Sequence, residues 1–292
     1  MRYRVRHETT YAYAQPVDLG RHMLHLLPRP LAGQRVVSAS LSADPVPTTL
    51  AEGVDHFGNR VSWMALDRPH AAFRLALEAV VEVGFAAPPD VAATPGWEQV
   101  AAAAMAGGPA GWEAAEFAFG SALAPAEEGA GAYAARSFPP GRPVLAGLLE
   151  LTGRIRREFT FKPGVTTIST PVSRVLAQRA GVCQDFTHLM IAGLRALGLP
   201  ARYVSGYLRT RPPPGQAPRQ GADQSHAWVG CWLGPGLGWV DLDPTNDLVV
   251  RDEHVVLGWG RDYGDISPVR GIILGGGSHS VTVAVDLAPV EG

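Results

Sequence analysis

Cys183 stands at the head of a helix-forming stretch, the one place in this sequence where a thiol could be made reactive. Phe186, Met190, Leu194 and Leu197 follow on one helical face, and Gly198 with Pro200 supplies the stop. A cysteine at a helix start faces unpaired amides and the positive end of the dipole, which favour a thiolate over a free thiol of pKa about 8.5. A thiolate cleaves an amide only if an acid protonates the departing amine, so a histidine oriented by a third group is required. The candidates are His226 and the pair Asp241 and Asp243. His226 to Leu233 and Trp239 to Leu242 are strand-like and flank Gly234-Pro235-Gly236-Leu237-Gly238, the pattern of a hairpin. The two aspartates, two apart, share a face, and alternation does not choose between them. A one-residue change of register would turn both away from His226.

Other reactive side chains read more plainly. Cys231 is offset from His226 by an odd number of residues on the same strand, so it faces the other way and is expected to pack. Asp185 is placed to stabilise the helix N-terminus, and His188, one turn on, lines the site or packs. Cys183, Asp185, His188 and His226 lack the paired spacings of a metal site, so no metal and no cofactor are expected. Lys162, the only lysine, sits in neither a phosphate-binding loop nor an obvious Schiff-base pocket. A net charge of −2 excludes the cation excess that nucleic acid or an acidic membrane would need. Two cysteines provide no disulfide framework, and Met1 to Arg6 alternates charge with apolar residues unlike a signal peptide, so a cytoplasmic, soluble protein is expected.

The elements that must position these groups form an α+β chain. Alternation from Tyr3 to Tyr13 predicts a strand ended by Pro16, and β-rich runs follow at Val36 to Leu41, Arg60 to Leu66 and Phe73 to Val83. Residues 1–90 therefore read as an antiparallel sheet domain. Residues 91–142, rich in Ala, Gly and Glu, read as a linker or helical insertion with short helices at Trp97 to Met105 and Trp112 to Phe119. Residues 143–292 read as the catalytic core: a helix from 143 to 158, a short helix behind Pro171, the Cys183 helix, a strand from Ala201 to Leu208, the hairpin, and C-terminal strands at Gly271 to Leu274 and Ser280 to Asp286. Arg209 to Ser225 reads as an exposed loop.

Gly181-Val182-Cys183-Gln184-Asp185-Phe186, Leu197 to Tyr207, His226-Ala227-Trp228, and Gly238-Trp239 with Asp243-Pro244-Thr245-Asn246 together resemble the bacterial transglutaminase-like superfamily, papain-related cysteine enzymes. His7 to Tyr11, Leu26-Leu27-Pro28-Arg29 and Phe57-Gly58-Asn59 resemble the β-rich N-terminal domain of one bacterial branch, and Gly260 to Tyr263 with Pro268 to Gly271 its tail. The resemblance implies a helix bearing Cys packed on an antiparallel sheet bearing His and Asp, with Cys183, His226 and Asp243 as catalytic triad. The tryptophan that animal transglutaminases use as an oxyanion donor has no counterpart between Trp112 and Cys183, which points to the Cys183 amide with Gln184 or Tyr207. Trp228 and Asp241 would line the site. Asp241, Asp243, Asn246 and Asp247 lack the glycine and terminal glutamate of a calcium loop. The expected reaction is hydrolysis of a peptide or protein amide through a thioester, with amine transfer or a non-catalytic binding module as alternatives. Arg209, Arg211 and Arg219, with Arg261, Asp262 and Tyr263, are the expected substrate rim.

Overall fold

Residues 1–210 and 224–290 are described by a computed structural model. The alternation that opens the chain builds strand β1 (Arg2–Leu24), which buries Tyr3, Val5, His7 and Thr9 on one face. It does not stop at Pro16. The strand changes partners there, pairing up to Ala12 with β5 (His70–Val83) and β14 (His279–Pro289), and from Val17 onward mainly with β4 (Arg60–Leu66) and β13 (Val269–Gly275). Proline is tolerated because the register breaks between Ala12 and Val17, where its missing N–H costs no ladder bond. β2 (Gln34–Asp44) and β3 (Thr49–Val54), the latter not expected from the sequence, complete a 7-stranded antiparallel sheet.

One boundary differs from the sequence reading. The C-terminal strands β13 and β14 belong to the N-terminal sheet, not to the catalytic core. Alternation shows that a strand exists, while the choice of partner is made by the open edges of the long β1. Residues 91–142 take the helical-insertion alternative of the sequence reading. They form α1 (Trp97–Met105), α2 (Pro109–Ala115) and α3 (Glu128–Ala135), and Val100, Ala104, Ala114, Ala130 and Tyr133 enter the same buried cluster as the Cys183 helix. The Ala and Gly content that reads as linker material is what allows close approach. A Cβ on Gly193 would lie 2.9 Å from both Ala130 O and Ala134 Cβ, and one on Gly131 would lie 2.7 Å from Ala196 Cβ.

The core follows the expected layering. A short parallel pair, β6 (Thr160–Phe161) and β7 (Ala180–Gly181), leads into the Cys183 helix, and α4 (Val144–Glu158), α5 (Val172–Gln178) and α6 (Cys183–Ala196) pack with a second sheet of β11 (Leu248–Val249), β10 (Trp239–Asp243), β9 (Gln224–Trp232), β8 (Ala201–Leu208) and β12 (His254–Gly260), in that order. Phe186, Leu189 and Met190 cluster with Tyr203, Ala227, Val229, Cys231 and Leu242 on one side. On the other side Val204, Trp228, Val250 and Val256 meet Leu31 and Phe85; farther along the Tyr203 face of β8, Tyr207 with Val255 and Leu257 meets Tyr3, Val5, Leu27 and Leu287. The N-terminal half thus covers the second face of this sheet and one end of the first. Its Leu-Leu-Pro-Arg and Phe-Gly-Asn motifs form the joint: Arg29 stacks 3.6 Å from the Trp259 ring centroid and donates to Asn59 Oδ1. Asn59, fully buried, also bonds both the N–H and the carbonyl of Trp259. Among the described residues no helix is long and apolar enough to cross a membrane.

Candidate active site

Cys183 is the first residue of α6 and is half-buried. The turn that presents it is built by Asp185, whose Oδ2 accepts the Val182 N–H at 2.7 Å and the Thr166 hydroxyl at 2.7 Å. Burial raises the Asp185 pKa, and those two hydrogen bonds oppose the rise. Gly181 is needed beside it because a Cβ there would sit 2.7 Å from Asp185 Oδ2. Asp185 therefore holds the cap behind the thiol and has little free capacity for a ligand.

His226, on β9, is buried and directs Nε2 at Asp243 Oδ2, 2.8 Å away. Cys183, at the head of α6, is close enough to the same ring to favour its charged form. Burial alone would discharge the imidazolium, but hydrogen bonds and charge from Asp243 and Cys183 outweigh it and push the His226 pKa up to about 10. Asp243 is completely buried and saturated with donors. Oδ1 accepts from Thr245 N at 2.9 Å and Asn246 N at 3.2 Å, and Oδ2 accepts from Asn246 Nδ2 at 2.7 Å as well as from His226. Burial would raise its pKa; the bonds from His226 and a second histidine, His254, hold it well below the ordinary carboxylate range. Asp241 is committed elsewhere, to Trp228 Nε1 at 3.0 Å and Arg202 Nη2 at 3.7 Å. The alternation that left the two aspartates equivalent is resolved by depth along β10.

The two shifts set a pH window for stability. His226, raised from 6.5 to about 10 on folding, contributes stability that is complete below pH 6.5 and is lost as pH rises through about 10. Asp243, lowered from 3.8, contributes stability present above pH 3.8 and lost as pH falls below it. Both describe one ion pair and are not summed. Denaturant unfolding across pH 6.5 to 10 is expected to show a declining free energy in the native chain and a flatter profile in His226→Ala. Equal slopes would rule out the buried pair.

The remaining expected site residues divide. Trp228 is fully buried, its ring tilted by 31° to that of His226 with centroids 6.1 Å apart, so it backs the imidazole. Gln184 stays in the first turn of α6, with only a 3.5 Å contact from Nε2 to Ile168 O. Tyr207 is not an oxyanion donor: it is fully buried and its hydroxyl bonds His7 Nδ1 at 3.0 Å, inside the joint between the sheets. The strand pattern of β8 did not show that a second sheet would cover that residue. His188 packs; it accepts the Tyr263 N–H at 3.2 Å, and burial pushes its pKa down to about 4, keeping it neutral.

On the rim, Arg261 is paired with Asp265 through Nε at 2.8 Å and Nη2 at 3.0 Å. Asp262 does not face a substrate. It is buried, and its carboxylate accepts Leu123 N at 2.9 Å and Gly264 N at 2.8 Å, because the turn needs an internal acceptor. Tyr263 is half-buried against Tyr203. Arg209 anchors its amide on Glu253 O at 3.0 Å. Arg211 and Arg219 lie outside the described residues.

His254, at the start of β12, was missed by the sequence reading. Its Nε2 lies 3.2 Å from Asp243 Oδ2. The only available signal was a histidine near the start of a strand following Asp-Pro-Thr, and β12 itself had not been expected. Donor atoms of His226, Asp243 and His254 fall within 4.8 Å of one another, a spacing that metal sites also use. Here the lone pairs of Asp243 Oδ2 already take the hydrogen bonds of both rings, so the cluster is a hydrogen-bonded network.

This helix-head cysteine, buried His–Asp pair and covered antiparallel sheet agree with what the chain is similar to. The transglutaminase-like superfamily matches residues 133–244, which include all three groups, and the bacterial transglutaminase-like N-terminal region matches residues 3–82. An uncharacterized protein of Mycobacterium tuberculosis is 42% identical over 295 residues, covering 100% of this chain and 94% of that one. The chain belongs to the transglutaminase-like superfamily. A solved structure of a candidate cysteine protease from Cytophaga hutchinsonii superposes with a TM-score of 0.76 at 22% identity, over 100% of this chain and 91% of that one, which establishes the shared papain-like fold. A protein-glutamine gamma-glutamyltransferase of Pseudomonas aeruginosa is 33% identical over 103 residues, 35% of this chain and 15% of that one. Family and fold support cysteine-based catalysis in general.

Proposed function

We propose that the protein hydrolyses a peptide or amide bond through a Cys183 thioester, with His226 as acid and base and Asp243 as its orienting carboxylate. The observation that carries this reading is the buried His226–Asp243 hydrogen bond beside a thiol at a helix N-terminus, near enough to favour the imidazolium. Its parts have distinct work. The thiolate attacks the carbonyl carbon, and the oxyanion forms beside the Cys183 amide, which in the first turn of α6 has no intrahelical acceptor. Gln184 is the second donor in this scheme. The imidazolium gives its proton to the departing amine, leaving a thioester and a neutral ring. That ring then takes a proton from water as it attacks the thioester, and the carboxylic acid leaves as the C–S bond breaks, restoring the thiolate and imidazolium. Asp243 keeps a proton on Nε2, so the ring's other nitrogen is the one that exchanges protons with the thiol.

Amine transfer shares every step up to the thioester, and the partial likeness to the Pseudomonas transferase favours keeping it in view. A peptide and amide library incubated with and without a fluorescent primary amine separates the two. Hydrolysis predicts carboxylic acid products that persist when the amine is present. Products carrying mainly the fluorescent amine would overturn it. A Cys183 that alkylates no faster than an ordinary thiol near neutral pH would favour the binding-module reading instead.

A further inference from the structure

Asp243 Oδ2 serves two imidazoles. His226 approaches it from β9 at 2.8 Å and His254 from β12 at 3.2 Å. The strand between them, β8, makes this possible through register: Gly206 pairs with both His226 and Val256, so His254, two residues before Val256, lies on the same face as His226. Gly206 has no side chain to fill the gap. A Cβ there would meet the Trp228 ring at 2.5 Å and Val255 O at 2.0 Å. The Trp228 ring occupies that space and packs edge-on against His254, with centroids 5.0 Å apart at 74°. His254 itself is 2% exposed. An ionised carboxylate can only accept, so each histidine presents an Nε2–H to the shared oxygen.

Orientation of the carboxylate does not need His254. Thr245 N, Asn246 N and Asn246 Nδ2 all come from the turn that follows Asp243 and fix its plane locally. What His254 adds, from a different strand, is a rival donor for the oxygen that holds His226. The charged or titratable groups facing His226 are Cys183 from α6, Asp243 from β10 and His254 from β12, since Asp241 is taken by Trp228 and Arg202. An imidazolium held too tightly by an undivided carboxylate is a poor acid toward a departing amine, because proton donation is best when the acid's strength suits the working pH.

We propose that His254 is a positioning residue: by donating to the oxygen that holds His226, it weakens the carboxylate's grip on the imidazolium and leaves that ring able to surrender its proton. The kinetic consequence rests on the acyl-transfer reading above; the structural one does not. The test uses the full chain with labelled histidines, the His226 signals being assigned by their loss in His226→Gln. In His254→Leu, which keeps bulk and removes the donor, the titration midpoint of His226 moves upward. His254→Gln, whose amide nitrogen replaces Nε2, brings it back toward the native value. Amide turnover in His254→Leu falls by up to about tenfold with KM unchanged, and hydrolysis of an activated ester, whose leaving group needs no proton, falls by less. A midpoint that stays or moves downward in His254→Leu overturns the proposal, as does an equal effect of Leu and Gln. If His254→Leu does not fold, His254→Asn removes the donor by falling short of Oδ2 and is read the same way. Slow alkylation of native Cys183 would defeat the acyl-transfer reading alone, because the His226 midpoints still decide what His254 does.

Discussion

Cys183→Ala is expected to yield a folded chain that no longer labels at this site and whose amide turnover falls by about 10⁴-fold or more. The size of the effect follows from the lack of a substitute nucleophile. Cys231, the other thiol, is 1% exposed on the opposite face of β9, and burial raises its pKa well above the ordinary thiol value. It is inert for the same reason that it packs well. Folding should survive, because Cys183 is half-buried at a helix start whose cap is made by Asp185 and Thr166. Mass spectrometry of an alkylated sample, together with turnover of whichever amide the library identifies, checks both halves. Turnover within tenfold of the native enzyme would end the nucleophile assignment.

Asp243→Asn is expected to lower kcat by roughly 10⁴-fold while the fold is retained. Asparagine can keep one oxygen for the Thr245 and Asn246 amides, which accounts for the retained turn. Its amide group would then face two Nε2–H donors, from His226 and His254, with donors of its own. One ring must turn over or change tautomer to avoid the conflict, and His226 also loses the charge that favours its imidazolium. The change should therefore appear in kcat and in the alkylation rate of Cys183, while circular dichroism stays native. An Asp241→Asn control should be far milder at the thiol, since Asp241 bonds Trp228 and Arg202. If the control lost as much activity as Asp243→Asn, the choice between the two aspartates would have to be reversed.

Much of this architecture was legible because local rules governed it. The Cys183 helix, its stop at Gly198 and Pro200, the β9–β10 hairpin and the strand from Ala201 to Leu208 depend on periodicity and turn chemistry within a few residues. The failures share a different origin. Pro16 was read as a terminator because proline cannot donate, yet β1 continues where the ladder is already broken. For residues 91–142 the choice between linker and helical insertion stayed open because Ala and Gly carry little hydrophobic signal; they pack as helices because small residues let α3 lie against α6.

By itself, the amino-acid order determined which groups could do chemistry: a thiol at a helix start, a histidine on a hairpin, and two aspartates on one face of its partner strand. Alternation has a period of two, so it could not separate Asp241 from Asp243, and it carries no information about strands that are distant in sequence. Tertiary structure made those decisions. β9–β10 register set Asp243 rather than Asp241 beside His226. The return of β13 and β14 to β1, and the closure of the N-terminal sheet over β8 and β12, removed Tyr207 from the site. Gly206 in β8 allowed β12 to bring His254 to the same carboxylate. The last two are long-range pairings, chosen by which edges and faces remained to be covered once the local elements, the β9–β10 hairpin among them, had formed.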